Sequence, residues 1–177
     1  MKRLIPLACA GLLAGCQTTT SPPMETVDRV DLPRFMGNWY LIAHIPTFPE
    51  RNAYNAVESY ALNANGSVAT TFTFREGSFD GKARRMTATG YITDRNTNAT
   101  WGMQFIWPFK ADYRITYLTP DYGITVIARQ KRDYVWVMAR KPQISDAERK
   151  AVEAHIAGLG YDLGELRYVP QRWGAAT

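Results

Sequence analysis

Few residues in this chain could carry out covalent or ligating chemistry, and their types narrow what that chemistry is. Cys9 and Cys16 are its two thiols, and His44 and His155 its two imidazoles. Neither histidine stands in a cluster with the spacing of metal ligands. The sequence holds no Gly-x-Ser-x-Gly elbow for an activated serine and no glycine-rich phosphate loop. The residue best placed to react is Cys16, which ends the run Leu13-Ala14-Gly15-Cys16. Small neighbours leave its thiol, and the bond before it, open to being capped and cut. The expectation is a chain that is not an enzyme and takes no metal or cofactor.

What precedes Cys16 has the anatomy of a secretory signal: basic Lys2-Arg3, then an apolar run from Leu4 to Leu13, then small residues. That run is too short for the roughly 20 residues a spanning helix needs. The small-small-Cys ending, with Leu13 three residues before the cysteine, resembles the bacterial lipobox, where a diacylglyceryl group is attached to the thiol before cleavage. The resemblance implies a signal peptide over residues 1–15 and a lipidated Cys16 as the mature N-terminus. Gln17, rather than Asp, after the cysteine implies sorting to the outer membrane, with the domain facing the periplasm. Cys9 leaves with the signal, so the mature chain would hold one cysteine and no internal disulfide. A lone thiol on an exported protein is a hazard unless it is capped. Residues 16–30 are expected to form a lipidated, flexible tether, since Gln17 to Pro23 is rich in Thr, Ser and Pro without an apolar period. One acyl chain anchors marginally, whereas a lipobox cysteine normally carries three.

The remainder, residues 31–173, is the size of one domain with one core; the whole chain has 177 residues, 46% hydrophobic and 21% charged. The formal charge of +5 falls to +3 once Lys2 and Arg3 are removed with the signal. The other basic residues are scattered in twos and threes, such as Arg84-Arg85 and Arg140-Lys141. That pattern reads as a solvated surface and gives no reason to expect nucleic acid as a partner.

Runs rich in Val, Ile, Thr, Tyr, Phe and Trp, broken by Gly, Asn, Asp and Pro, predict strands near 38–46, 53–63, 67–75, 84–93, 100–107, 112–119, 123–130 and 133–141, with a short ninth near 166–170. Eight runs at this spacing imply an all-β sandwich or barrel, and the short turns favour sequential antiparallel pairing. Ser145-Asp146-Ala147-Glu148 has the form of a capping box, and an apolar stripe from Ala147 to Leu159 predicts one helix of about fifteen residues packed outside the sheet. His155 lies in that stripe and reads as a packing or surface residue.

Alternation places Val68, Phe72 and Phe74 on one face of the third strand, and Trp101, Met103, Phe105 and Trp107 on one face of the fifth. Tyr113, Ile115 and Tyr117 share a face of the sixth strand; Tyr134, Trp136, Met138 and Arg140 share one of the eighth. On the first strand His44 is out of parity with Leu41, Ala43 and Ile45 and is expected to face away from the interior. Eight strands close at a diameter where such a face can either fill the interior or line a site for one small ligand.

Gly37-Asn38-Trp39-Tyr40 at the first strand, Tyr122 at the turn between the sixth and seventh, and Arg140 at the end of the eighth resemble the three signature regions of the lipocalins. The likeness is closest to the bacterial outer-membrane lipocalins and includes Pro49-Glu50-Arg51, Asp133-Tyr134-Val135-Trp136 and Arg140-Lys141-Pro142. It implies an eight-stranded antiparallel up-and-down β-barrel with one C-terminal α-helix outside. Thr119 stands where the family carries Asp, a change that bears on the hydrogen bonding of that turn and not on the fold. In such a barrel, Gly37 would let the entering segment cross closely, and Arg140 could lay its guanidinium over Trp39 while donating to carbonyls of that segment.

Anchor, apolar interior and resemblance together predict a lipoprotein that stores or carries fatty acids or lysophospholipids at the outer membrane. Candidate wall residues are Leu41, Phe72, Phe74, Trp101, Met103, Phe105, Tyr113, Tyr117, Trp136 and Met138. Each buried methylene is worth about 0.8 kcal/mol, so a dozen or more suffice for micromolar binding after association costs. A small lipid-modifying enzyme and a ligand-free scaffold with a filled barrel are the alternatives. A homodimer is compatible with the resemblance.

Overall fold

Strands joined by short turns pair most readily with their neighbours in sequence, because each turn fixes the register of the pair it connects. The computed structural model describes residues 22–174; Cys16 and the signal segment lie outside them. Within it β1 (Gly37–Ile45), β2 (Ala53–Leu62), β3 (Val68–Glu76), β4 (Ala83–Ile92), β5 (Thr100–Ile106), β6 (Phe109–Leu118), β7 (Ile124–Ala128) and β8 (Val135–Ala139) form a closed antiparallel barrel. Polar side chains tighten the turns at one end. Asp94 accepts from the Asn96 amide at 2.9 Å and from Thr97 Oγ1 at 2.7 Å. Thr119 Oγ1 accepts from the amides of Gly123 and Ile124 at 3.0 and 2.9 Å, so a hydroxyl does the work that a carboxylate could do there.

Closure depends on β1, which serves three partners. Its first half, Gly37 to Tyr40, pairs with Val57 to Tyr60 of β2, while β8 runs along its other edge. Beyond Tyr40 the first two strands separate, and β9 (Arg167–Tyr168) takes over, pairing with Ala43 and His44. Gln171 spans the resulting seam: its Nε2 donates to Leu41 O at 2.8 Å and to Ala56 O at 3.1 Å.

The helix α2 (Asp146–Gly158) begins at Ser145, whose hydroxyl accepts from the Glu148 amide while the Glu148 carboxylate accepts from the Ser145 amide at 2.7 Å. Val152 and Ile156 pack on the outer faces of β1, β7 and β8, so those strands are buried on both sides. This explains β7, where all five residues, Ile124-Thr125-Val126-Ile127-Ala128, are buried.

The floor is closed by a short helix, α1 (Leu32–Phe35), with Asp31 as its cap. The Arg140 guanidinium lies 3.8 Å from the centroid of the Trp39 ring and donates to the carbonyls of Arg34, Met36 and Asn38, each at 2.8 Å, and of Phe35 at 3.1 Å. A Cβ on Gly37 would come within 3.4 Å of Arg140 Nη1, and φ there is +92°, a conformation that glycine adopts without strain. Tyr122 Oη accepts from the Asp31 amide at 2.9 Å and ties the turn after β6 to the same segment.

Residues 22–30, expected as the end of the tether, lie instead against the barrel. Met24 and Val30 are buried, and the amides of Met24, Val27 and Val30 donate to Gln130 Oε1, Ile115 O and Thr97 O. Met24 and Val30 are buried and Val27 packs against the core between them, a three-residue spacing that matches neither the helical nor the strand period, so pattern reading conceals this strap.

Replacing Arg140 with Ala leaves four carbonyls of the floor short of a charged donor, a loss on the order of 2–3 kcal/mol. Thermal melting of Arg140→Ala should fall several degrees further than that of an Arg95→Ala surface control; equal shifts would refute this account of the floor.

Candidate ligand-binding cavity

The interior is divided into a filled lower half and an open upper half. Phe35, Trp39, Tyr60, Trp101 and Tyr113 form an aromatic layer above the floor, with Phe35 and Trp39 centroids 5.0 Å apart and Trp101 stacked on Tyr113 at 5.4 Å. Leu41 and Met138 complete that layer, and both are fully buried. Above it lies a cavity of about 310 Å³ that opens at the end carrying the β1–β2, β3–β4, β5–β6 and β7–β8 loops. The volume is at the small end of the 300–1,000 Å³ range typical of small-molecule pockets. A barrel filled throughout, one of the alternatives, is therefore not what this chain forms.

Five of the ten wall residues expected from alternation line the cavity: Phe72, Met103, Phe105, Tyr113 and Trp136. Leu41, Trp101 and Met138 lie beneath it in the packed layer, and Phe74 packs beside Phe72 with ring centroids 5.2 Å apart. Tyr117 is a correction. A register shift between Ile115 and Tyr117 turns its side chain outward, where its ring sits 5.3 Å from that of His155 on α2. Trp107, placed by parity with the inward set of β5, is exposed at the hairpin tip beyond the strand.

His44 is the second correction. A shift between Leu41 and Ala43 adds a residue to β1, sends Ile42 and Ala43 outward together and brings His44 opposite the inward-facing Trp136. There His44 Nδ1 lies 3.7 Å from Glu50 Oε2, and the same carboxylate accepts from Trp136 Nε1 at 2.9 Å. Glu50 comes from a one-turn 3-10 helix, Phe48–Glu50, folded inward over the cavity.

A second interior acid, Glu58, stands opposite Trp39 on β1 and Phe72 on β3 and lines the cavity above Tyr60. Burial, with the Glu50 charge adding to it, pushes the Glu58 carboxyl up to about 8. Near neutral pH it is mostly protonated, so the deep end of the cavity is close to neutral. Burial also raises the Tyr60 and Tyr113 phenols well above their ordinary value, and the two hydroxyls hydrogen-bond to each other. At the rim, Arg129 and Asp112 complete the lining; Arg129 Nε is 3.4 Å from Asp133 Oδ1, and Asp112 accepts from the Gln130 amide at 2.7 Å. Among the described residues no group of three or more His, Cys, Asp and Glu is placed to hold a metal.

Neither interior acid was expected from the sequence. The signal was Tyr60: an inward tyrosine at that position puts Glu58 inside by parity, but a glutamate on a strand reads as a solvent residue unless the strand is phased first.

A family model described as a lipocalin-like domain matches residues 30–171. The chain belongs to the lipocalin-like family. Its relatives include the outer membrane lipoprotein Blc of Escherichia coli, 28% identical with 96% of this chain and 98% of that protein aligned. Temperature-induced lipocalin-1 of Arabidopsis thaliana is also 28% identical, over 86% of each. Among solved structures, insecticyanin of the tobacco hornworm Manduca sexta superposes with a TM-score of 0.67 at 14% identity, covering 88% of this chain and 87% of that one. That likeness shows the lipocalin barrel and nothing of the ligand.

The raised Glu58 carboxyl makes a signed prediction. Between about 4.5 and about 8 the folded state holds a proton that the unfolded chain has released, so stability contributed through Glu58 falls as pH rises across that window. Glu58→Gln has no such proton to hold. Its melting temperature relative to the parent should climb from pH 5 to pH 8; a pH-independent difference would show that Glu58 is not held protonated.

Proposed function

We infer that this lipocalin is a lipid-binding lipoprotein of the outer membrane, facing the periplasm, which stores or carries fatty acids or lysophospholipids. The observation that carries this reading is the half-open barrel: an apolar cavity set on a packed aromatic layer, open at one end and walled by Phe72, Met86, Met103, Phe105 and Trp136. Its shape suits one acyl tail entering from the mouth. A neutral Glu58 at depth does not oppose an apolar tail, whereas an ionised head group is better placed at the rim beside Arg129. The lipobox resemblance at Cys16 and the relatives named outer membrane lipoprotein Blc support the location. On this reading residues 1–15 are removed, Cys16 carries the acyl anchor, and binding rather than catalysis is the activity.

Two measurements test it. Mass spectrometry of the protein purified from its own membrane should find Cys16 at the N-terminus with diacylglyceryl and amide-linked acyl groups, together with a co-purifying lipid; an unmodified Cys16 would remove the anchor. Saturable quenching of tryptophan fluorescence by palmitate or lysophosphatidylethanolamine should be weakened tenfold or more, about 1.4 kcal/mol, by Ala111→Trp, which puts an indole into the cavity. Unchanged affinity in a folded Ala111→Trp protein would place the ligand elsewhere.

A further inference from the structure

The mouth of the barrel is apolar on its outside as well as within. At the tip of the β5–β6 hairpin Phe105, Ile106, Trp107 and Phe109 all project into solvent, with Trp107 82% exposed and Phe109 76% exposed. Phe48, also 76% exposed, projects from the β1–β2 loop at the same end. A strand pair that alternates correctly through Met103 thus abandons alternation where it leaves the barrel. Such a cluster has no packing role and marks a surface meant to meet something apolar. Exposed cations stand in the loops at the same end: Arg51, whose guanidinium lies 4.1 Å from the centroid of the Phe48 ring, Lys82 and Lys131. Aromatic tips with a basic collar suit the interface of an anionic bilayer, where rings sit at the head-group level and lysines meet phosphates.

The course of the N-terminal strap selects the membrane over other apolar partners. From Asp31 at the floor it runs up the outside of the barrel and reaches the β7–β8 loop, where the Pro22 carbonyl accepts from Gln130 Nε2 and Arg132 Nη2, each at 3.0 Å. Pro22 is therefore held at the mouth end. Cys16 lies six residues before Pro22, a span of at most about 22 Å when fully extended. An anchor on Cys16 must lie at the mouth side of the molecule, facing the same leaflet as the aromatic tip.

We propose that the open end of the barrel docks on the bilayer that holds its own anchor, with Trp107, Ile106 and Phe109 inserted at the interface and the cavity mouth pressed to the lipid. Phe105 links the two surfaces, because it borders both the inserted tip and the cavity. A lipid tail then passes from leaflet to cavity along an apolar path without crossing water. The orientation rests on the lipidation of Cys16 given above, whereas docking of the tip does not.

The two parts are tested separately. In the mature acylated protein, reconstituted in phosphatidylethanolamine–phosphatidylglycerol vesicles, lipids brominated on their acyl chains should quench a tryptophan component that is largely lost in Trp107→Phe. Quenching unaffected by that substitution overturns the orientation. The chain from Gln17 onward carries every element of the fold and no acyl group. It should still co-sediment with these vesicles, and Ile106→Ser/Phe109→Ser should lower its partition coefficient at least tenfold while leaving melting temperature and palmitate binding unchanged. Equal partitioning of the two overturns docking by the tip. So does loss of a solution dimer in the double variant without loss of vesicle binding, which would assign the patch to a second copy of the chain. An unmodified Cys16 with intact tip-dependent partitioning would refute the anchor and leave the tip standing.

Discussion

A barrel of eight strands is closed by one pair of edges, and here that pair holds along only half its length. β1 and β2 meet over Gly37 to Tyr40 and then part, so closure depends on what secures the floor. Arg140 does this from the end of β8, where one guanidinium covers the Trp39 ring and serves four carbonyls between Arg34 and Asn38. Three stretches of chain are thereby fixed to each other at a point where no ladder bond could join them. With the floor fixed, Phe35 and Trp39 are placed beneath Tyr60 and Trp101, and the aromatic layer forms above them. The open half of the barrel exists because the other half is full.

The same arrangement explains how much was legible beforehand. Strand positions follow from residue type and turn chemistry, and α2 announces itself through Ser145 and Glu148 and a change of period. Facing is harder, because parity survives only until a bulge. One added residue in β1 turned His44 inward, and one in β6 turned Tyr117 outward onto α2. Nothing local in Leu41-Ile42-Ala43 distinguishes a bulge from a regular strand whose two faces are both buried, since all three residues are apolar. The strap over residues 22–30 was hidden for a related reason: its contacts are backbone hydrogen bonds and three apolar side chains, Met24, Val27 and Val30, whose three-residue spacing fits neither the strand nor the helix period.

Glu50 and Glu58 show where pattern reasoning and physical cost diverge. An interior carboxylate is expensive when ionised and tolerable when protonated or paired, so its presence inside a wall says little until its partners are known. Glu50 has partners, Trp136 Nε1 and the neighbouring His44, on the side of the cavity. Glu58 sits above the two hydrogen-bonded tyrosines and meets the Glu50 charge, which favours its neutral form. Hydrogen bonding supports the first acid and the second keeps its proton, so no charge is set at the deep end of the cavity.

Polarity along the barrel axis follows from these placements. At the floor, charged groups are spent on backbone carbonyls and amides, and large side chains are buried. At the mouth, Ile106, Trp107 and Phe109 are left without partners inside the molecule, while Gln130 and Arg132 hold Pro22 at the same end. A domain built only for stability would reverse this, because large apolar groups gain by moving from the tip to the interior. The cavity prevents it: filling the upper half with the residues now at the rim would stabilise the barrel and abolish the apolar cavity on which the proposed lipid binding rests.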